Sequence, residues 1–132
     1  MFRQGAMWAL ALVLLLCAAG AQAADAKDPF LRARTLYNDG QYDAAVAAAD
    51  EAGRVAGLPN KADLIAARAY LERYRAGAAE IDLINARTRL RRLDPATFTA
   101  AERLELLIGL GQALYFDGSS GASALVLSLI HI

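Results

Sequence analysis

Leu36-Tyr37-Asn38-Asp39-Gly40-Gln41-Tyr42-Asp43-Ala44-Ala45 reads as the end of one helix, a tight turn at Gly40 and the start of a second helix. Glycine adopts the left-handed backbone that closes a helix without strain. Upstream, Asp28-Pro29 offers a cap and a first helical residue: the aspartate can accept from free N–H groups, and proline has no N–H to leave unpaired. The first helix is therefore expected over Pro29 to Asp39, with Phe30, Ala33, Leu36 and Tyr37 on its apolar face. The second is expected from Tyr42 or Asp43 to about Ala56, with Ala45, Ala48, Ala49 and Ala52 as its contact stripe. Gly57 and Pro59 close it.

The pattern continues downstream. Asn60 is expected to cap a helix over Lys61 to Tyr74 with Leu64, Ala67, Tyr70 and Leu71 inward, followed by a loop near Ala76-Gly77-Ala78. A fourth helix is expected over Ile81 to Leu93, stopped by Asp94-Pro95, since a residue before proline is pushed out of helical geometry. Thr99 with Glu102 fits a capping box opening a fifth helix from Ala100 to about Phe116. The turn motif returns in Leu110-Gly111-Gln112-Ala113-Leu114-Tyr115-Phe116-Asp117-Gly118, and a sixth helix is expected near Ala122. Alternating strand-like runs are absent from this region. The fold class is all-α, built of stacked antiparallel helical hairpins.

Ala33 and Ala67 stand 34 residues apart, and Leu36 and Tyr70 repeat that offset. With the small residues and the glycine turn, this resembles the tetratricopeptide (TPR) repeat, an α-solenoid family with a period of about 34 residues. A first repeat from Ala26 puts Ala33, Gly40, Ala45 and Ala52 on the small positions of that pattern and Tyr42 on an aromatic one. A second repeat from Asn60 fits through Ala67 and Tyr70, then departs at Tyr74 and carries about ten extra residues, expected around Arg75 to Asp82. A third from Leu104 fits again at Gly111, Leu114 and Gly118. The expected repeats are 26–59, 60–103 and an incomplete 104–126, within a domain of residues 24–126.

The resemblance implies a ligand lying along the concave surface made by the first helix of each repeat. The inward polar residues would then include Arg34, Asn38, Arg68, Glu72 and Gln112, with Tyr115 nearby. Arg34 and Arg68 share one position of successive repeats, and two guanidinium groups so placed can hold a carboxylate or an acidic peptide. Arg87, Arg89, Arg91 and Arg92 read as a solvated basic face near a helix C-terminus. That helix lacks the aromatics that stack bases, so nucleic acid is not an expected partner.

Both ends of the chain read differently from the middle. Residues 1–23 carry Arg3, an apolar run from Ala6 to Ala19 and the small-x-small triplet Ala21-Gln22-Ala23, the pattern of a cleaved export signal. The run is shorter than the ~20 residues a membrane span needs; an uncleaved anchor is the alternative. Cys17 follows Leu16 rather than the small residue a lipidation site requires. The last six residues, Leu127-Ser128-Leu129-Ile130-His131-Ile132, resemble the translation of a transposase adapter used in preparing DNA for sequencing. That resemblance implies that 127–132, including the sole histidine, do not belong to the natural protein and that the third repeat is cut short. Without Cys17 and His131 the remaining chain has neither thiol nor imidazole. Thiol or histidine nucleophile sets and histidine zinc sites are then excluded, and no catalytic residue, cofactor or metal is expected.

Acidic and basic residues balance at 14 each, so no bulk charge selects a polyanionic partner. The expected protein is an exported, periplasmic or secreted, non-enzymatic scaffold that binds a protein or peptide in the bacterial envelope. The alternative is a helper module of a larger envelope enzyme or transport component.

Overall fold

The computed structural model describes residues 28–118, and five α-helices fill most of this stretch. They are α1 (Pro29–Asn38), α2 (Tyr42–Val55), α3 (Pro59–Gly77), α4 (Glu80–Arg91) and α5 (Ala100–Phe116), with a 3-10 turn at Pro95–Thr97 before α5. No strand occurs among the described residues. The export segment 1–23, the sixth helix near Ala122 and the adapter-like 127–132 lie outside them.

Local chemistry fixes several helix ends. Asp28 Oδ1 accepts from the Phe30 and Leu31 N–H groups, with Pro29 in the first turn. Thr99 and Glu102 form the expected reciprocal box: the Glu102 N–H donates to Thr99 Oγ1 at 3.2 Å and the Thr99 N–H to Glu102 Oε2 at 2.8 Å. At the end of α1, Gly40 has φ +75°, its N–H donates to the Tyr37 carbonyl, and the Gln41 N–H reaches back to that of Leu36. These two bonds satisfy carbonyls of the last turn and reverse the chain. Asp117-Gly118 repeats the geometry closely. Asp39 and Asp117 have φ/ψ of −80°/0° and −79°/0°, both glycines have φ +75°, and Gly118 donates to the Tyr115 carbonyl as Gly40 does to Tyr37.

Two sequence expectations are corrected here. Asn60 does not cap α3; Leu58 holds that place and Pro59 opens the helix. The Asn60 side chain instead donates to the Asp94 carbonyl and Thr97 Oγ1 and accepts from the Asp94 N–H, pinning the α4–α5 connection to the start of α3. The loop expected near Ala76-Gly77-Ala78 is shorter, because α3 runs through Gly77, and the extra residues of the second repeat, expected around Arg75 to Asp82, fall only partly there. Residues Ala78 and Ala79 alone separate α3 from α4. The surplus lies in α3, which has 19 residues against 10 in α1, and in the stretch from Arg92 to Thr99. Tyr74 packs on Phe116 of α5 with ring centroids 5.0 Å apart, so tertiary contact carries α3 beyond its expected stop.

Helices adjacent in sequence pack together through α4, α3 also lies beside α1 and α5, and α4 beside α5. Ala33, Ala48, Ala49, Ala52, Ala62, Ile65 and Ala66 close the junction of α1, α2 and α3. Leu64, Ala67, Leu71, Leu83, Ala86, Leu90, Phe98, Leu106 and Ala113 form the core shared by α3, α4 and α5. Gly109 of α5 faces this core: a Cβ there would meet Leu90 Cδ2 at 3.4 Å and Leu71 Cδ1 at 3.9 Å. No helix among the described residues is long and apolar enough to cross a membrane.

Candidate ligand-binding face

The apolar faces of α1, α3 and α5 leave their polar positions on a shared surface. Arg34 of α1 and Arg68 of α3 both reach Glu105 of α5: Arg34 to Oε1 at 3.0 Å and Arg68 to Oε2 at 3.3 Å. An α1 side chain thus meets an α5 side chain over the intervening α3. In a flat layer the outer two helices would stand roughly 16–20 Å apart, twice the usual 8–10 Å spacing. Extended arginine and glutamate side chains reach about that far, so the ion pair bridges α1 and α5 over α3.

Glu105 and Arg68 are four-fifths buried at their side chains. The Arg68 guanidinium lies over the Tyr37 ring at 4.9 Å, a cation–π contact. Its Nε is buried without a hydrogen-bond partner. Burial pushes the Tyr37 hydroxyl above its ordinary pKa of 10.0, while the nearby Arg68 charge pulls the other way. One turn along, Gln112 of α5 donates to Glu72 Oε1 at 3.4 Å, and Glu72 Oε2 takes Arg75. The structure therefore brings together Arg34 with Arg68, and Glu72 with Gln112. Asn38 is exposed at the end of α1 and Tyr115 is 64% exposed at the end of α5; neither contacts these groups. The cavity among Arg34, Tyr37, Ile65, Arg68 and Glu105 is about 10 Å³.

Sequence reasoning missed Glu105. Its signal was present: it is the lone charge in Leu104-Glu105-Leu106-Leu107-Ile108. A carboxylate in such a run needs a partner wherever it is buried.

The basic cluster of α4 is a second departure from expectation. Arg89 is held between Asp50 of α2 at 2.7 Å and Asp63 of α3 at 2.8 Å. Arg92 grips both oxygens of Asp63 at 2.6 Å, and Arg87 pairs with Asp117. Burial opposes the Arg89 charge, but its bonds to Asp50 and Asp63 outweigh that and raise its pKa. Only Arg91 keeps the solvated role expected of the set, because Asp63 is buried in α3 where α4 crosses it. A cleft of about 560 Å³ opens beside this cluster, between Asp50, Arg54 and Arg92. Another, of about 600 Å³, lies between the α1–α2 turn and Arg73. There Arg73 stands 3.0 Å from buried Asp82 Oδ1, a charge contact without hydrogen-bond alignment.

The larger cavities thus lie away from the α1/α3/α5 face. At all three places charged groups are paired with one another, and a buried atom without a hydrogen-bond partner occurs both at the α1/α3/α5 face, Arg68 Nε, and beside Arg73, Asp82 Oδ1. No protein-family model matches the chain, and no curated protein or solved structure matches it.

Proposed function

We propose that the chain is a TPR-like scaffold of the bacterial envelope, exported by residues 1–23, which binds an acidic protein segment on the α1/α3/α5 face. The observation that carries this reading is the convergence of Arg34 and Arg68, from two helices, on one carboxylate of a third. The two arginines occupy matching positions in the 34-residue pattern, and the face they share carries Tyr37, Glu72 and Gln112 as further polar contacts. Charge-assisted hydrogen bonds from guanidinium to carboxylate are among the stronger ones available to a surface.

Glu105 stands in the place a ligand carboxylate would take. The adjoining space of about 10 Å³ is at the limit of a single water, so a ligand carboxylate displaces Glu105 instead of joining it. The test uses an array of acidic and charge-neutral peptides, probed with the exported chain and two variants. Acidic peptides are expected to bind, to lose at least tenfold in affinity for Arg34→Ala/Arg68→Ala, and to bind more tightly to Glu105→Gln. Equal binding by the parent and the double variant overturns the assignment.

A further inference from the structure

Three arginines and two aspartates line the cleft of about 560 Å³ where the end of α2, the start of α3 and the end of α4 meet. One positive charge is left over, and the bonds show which residue carries it. Asp63 is buried and both its oxygens are taken: Arg92 holds the two at 2.6 Å, and Arg89 reaches Oδ1 at 2.8 Å. Arg89 also holds Asp50 at 2.7 Å. Arg54 pairs with no carboxylate among the described residues. Its Nε donates to the Asp50 carbonyl of its own helix at 3.4 Å, and both terminal nitrogens are left over.

A guanidinium presents five N–H groups in a rigid fork. Arg92 spends Nε and Nη2 on Asp63, so its Nη1 is spare, and its side chain is 56% exposed. Arg54 is exposed as well. The spare donors thus come from two helices and stand within reach of solvent. The cleft they line has the size that takes small ligands, about 300–1,000 Å³. Pro59 and Asn60, in the first turn of α3, line it too, and no side chain caps that turn. The partial positive charge of a helix start adds there to the charge of Arg54.

We propose that this cleft binds the phosphate group of a small molecule or of a lipid headgroup, with Arg54 and Arg92 as the residues that hold it. Phosphate oxygens point several ways around one atom, so donors from two helices can each take their own. The two oxygens of a carboxylate lie in one plane and suit a single fork. The chain as a whole balances 14 acidic against 14 basic residues, so attraction of an anion here is a property of the cleft and not of bulk charge. The α2–α3 connection beside Arg54 carries Val55, 71% exposed, and Leu58, 39% exposed. A lipid source would use these apolar contacts and a dissolved phosphate would not. The site lies apart from the α1/α3/α5 face and does not rest on the acidic-segment reading.

Titration of the chain with inorganic phosphate, and separately with vesicles of phosphatidylglycerol, tests the assignment at constant ionic strength. Arg54→Gln is the probe, since this exposed residue pairs with no carboxylate and the fold does not depend on it. Affinity is expected to fall about tenfold in that variant, the loss of a charge-assisted hydrogen bond. It is expected to rise in Asp50→Asn, which removes the more exposed of the two competing carboxylates. An Arg54-dependent response to inorganic phosphate supports the proposal with a dissolved ligand; one confined to the vesicles supports it with a headgroup. No response to either probe overturns it, as does a response indifferent to Arg54→Gln. Acetate binding as tightly as phosphate overturns the ligand class. Acidic-peptide binding should be unchanged in Arg54→Gln, and phosphate binding unchanged in Arg34→Ala/Arg68→Ala, so each site can fail without the other.

Discussion

Between α1 and α2 the buried surface is built from Ala33, Ala45, Ala48, Ala49 and Ala52, whereas between α3 and α4 it is built largely from Leu64, Leu71, Leu83 and Leu90. Both pairs are antiparallel hairpins closed by short turns. Alanine lets two backbones approach and loses no side-chain entropy on burial, but it removes little apolar area. Leucine buries several more carbons per residue, at about 0.8 kcal/mol each, and needs neighbours shaped to receive it. One hairpin thus relies on fit between backbones and the other on buried volume, so they should fail under opposite kinds of substitution.

The largest effect is expected in the leucine core. Leu71→Ala removes a fully buried side chain and should destabilise the chain by about 2–5 kcal/mol, read from the midpoint of a denaturant titration. Ala49→Leu should be the reverse case. Its site is fully buried against α1 and α3, and the added carbons should cost about 1–3 kcal/mol through displaced helices. If Leu71→Ala proved mild and Ala49→Leu neutral, the contrast between the hairpins would be broken.

The next test concerns what ties the second hairpin to α5. Burial works against the Glu102 charge, but the Thr99 N–H and Lys61 at 3.0 Å overcome it and hold the carboxyl below its usual 4.5. A carboxyl with a lowered folded-state pKa adds stability above its unfolded pKa and loses that stability as pH falls through the folded value. Stability of about 1 kcal/mol, typical of a helix cap, should therefore fade below about pH 4.5. In Glu102→Gln that part of the acid slope should disappear, which urea titrations at pH 3 to 7 would reveal.

The smallest expected effect distinguishes the two turns. The α1–α2 turn places glycine at positive φ, but the α3–α4 turn places Ala78 there, at φ 52°. A Cβ in that region costs roughly 1 kcal/mol. Ala78→Gly should raise stability by up to about 0.5–1 kcal/mol, less whatever the added glycine freedom gives the unfolded chain. A lower melting temperature would show that the turn is not where the second hairpin carries its strain.

What was legible in the sequence was local. The Asp28-Pro29 start, the Gly40 reversal and the Thr99/Glu102 box each act over a few residues, and each stands where the residue types put it. What was not legible depends on how distant helices meet. Asn60 looked like a cap because asparagine favours that place, yet Pro59 opens the helix one residue earlier and frees the side chain for Asp94. Arg89 and Arg92 looked solvated because Asp63, their partner, lies on another helix. At the candidate face, Arg34 and Arg68 were visible through their shared spacing, but Glu105 has no such spacing to them and is found only once α5 is laid across α3.

The bonds made by Asn60 also have a mechanical meaning. Its amide grips both the N–H and the carbonyl of Asp94 and reaches Thr97 as well, so one side chain holds the long bend between α4 and α5 at three points. Bending α5 away from the first turn of α3 strains all three bonds together. The bend behaves as a brace, and the angle it sets passes to whatever is carried beyond α5.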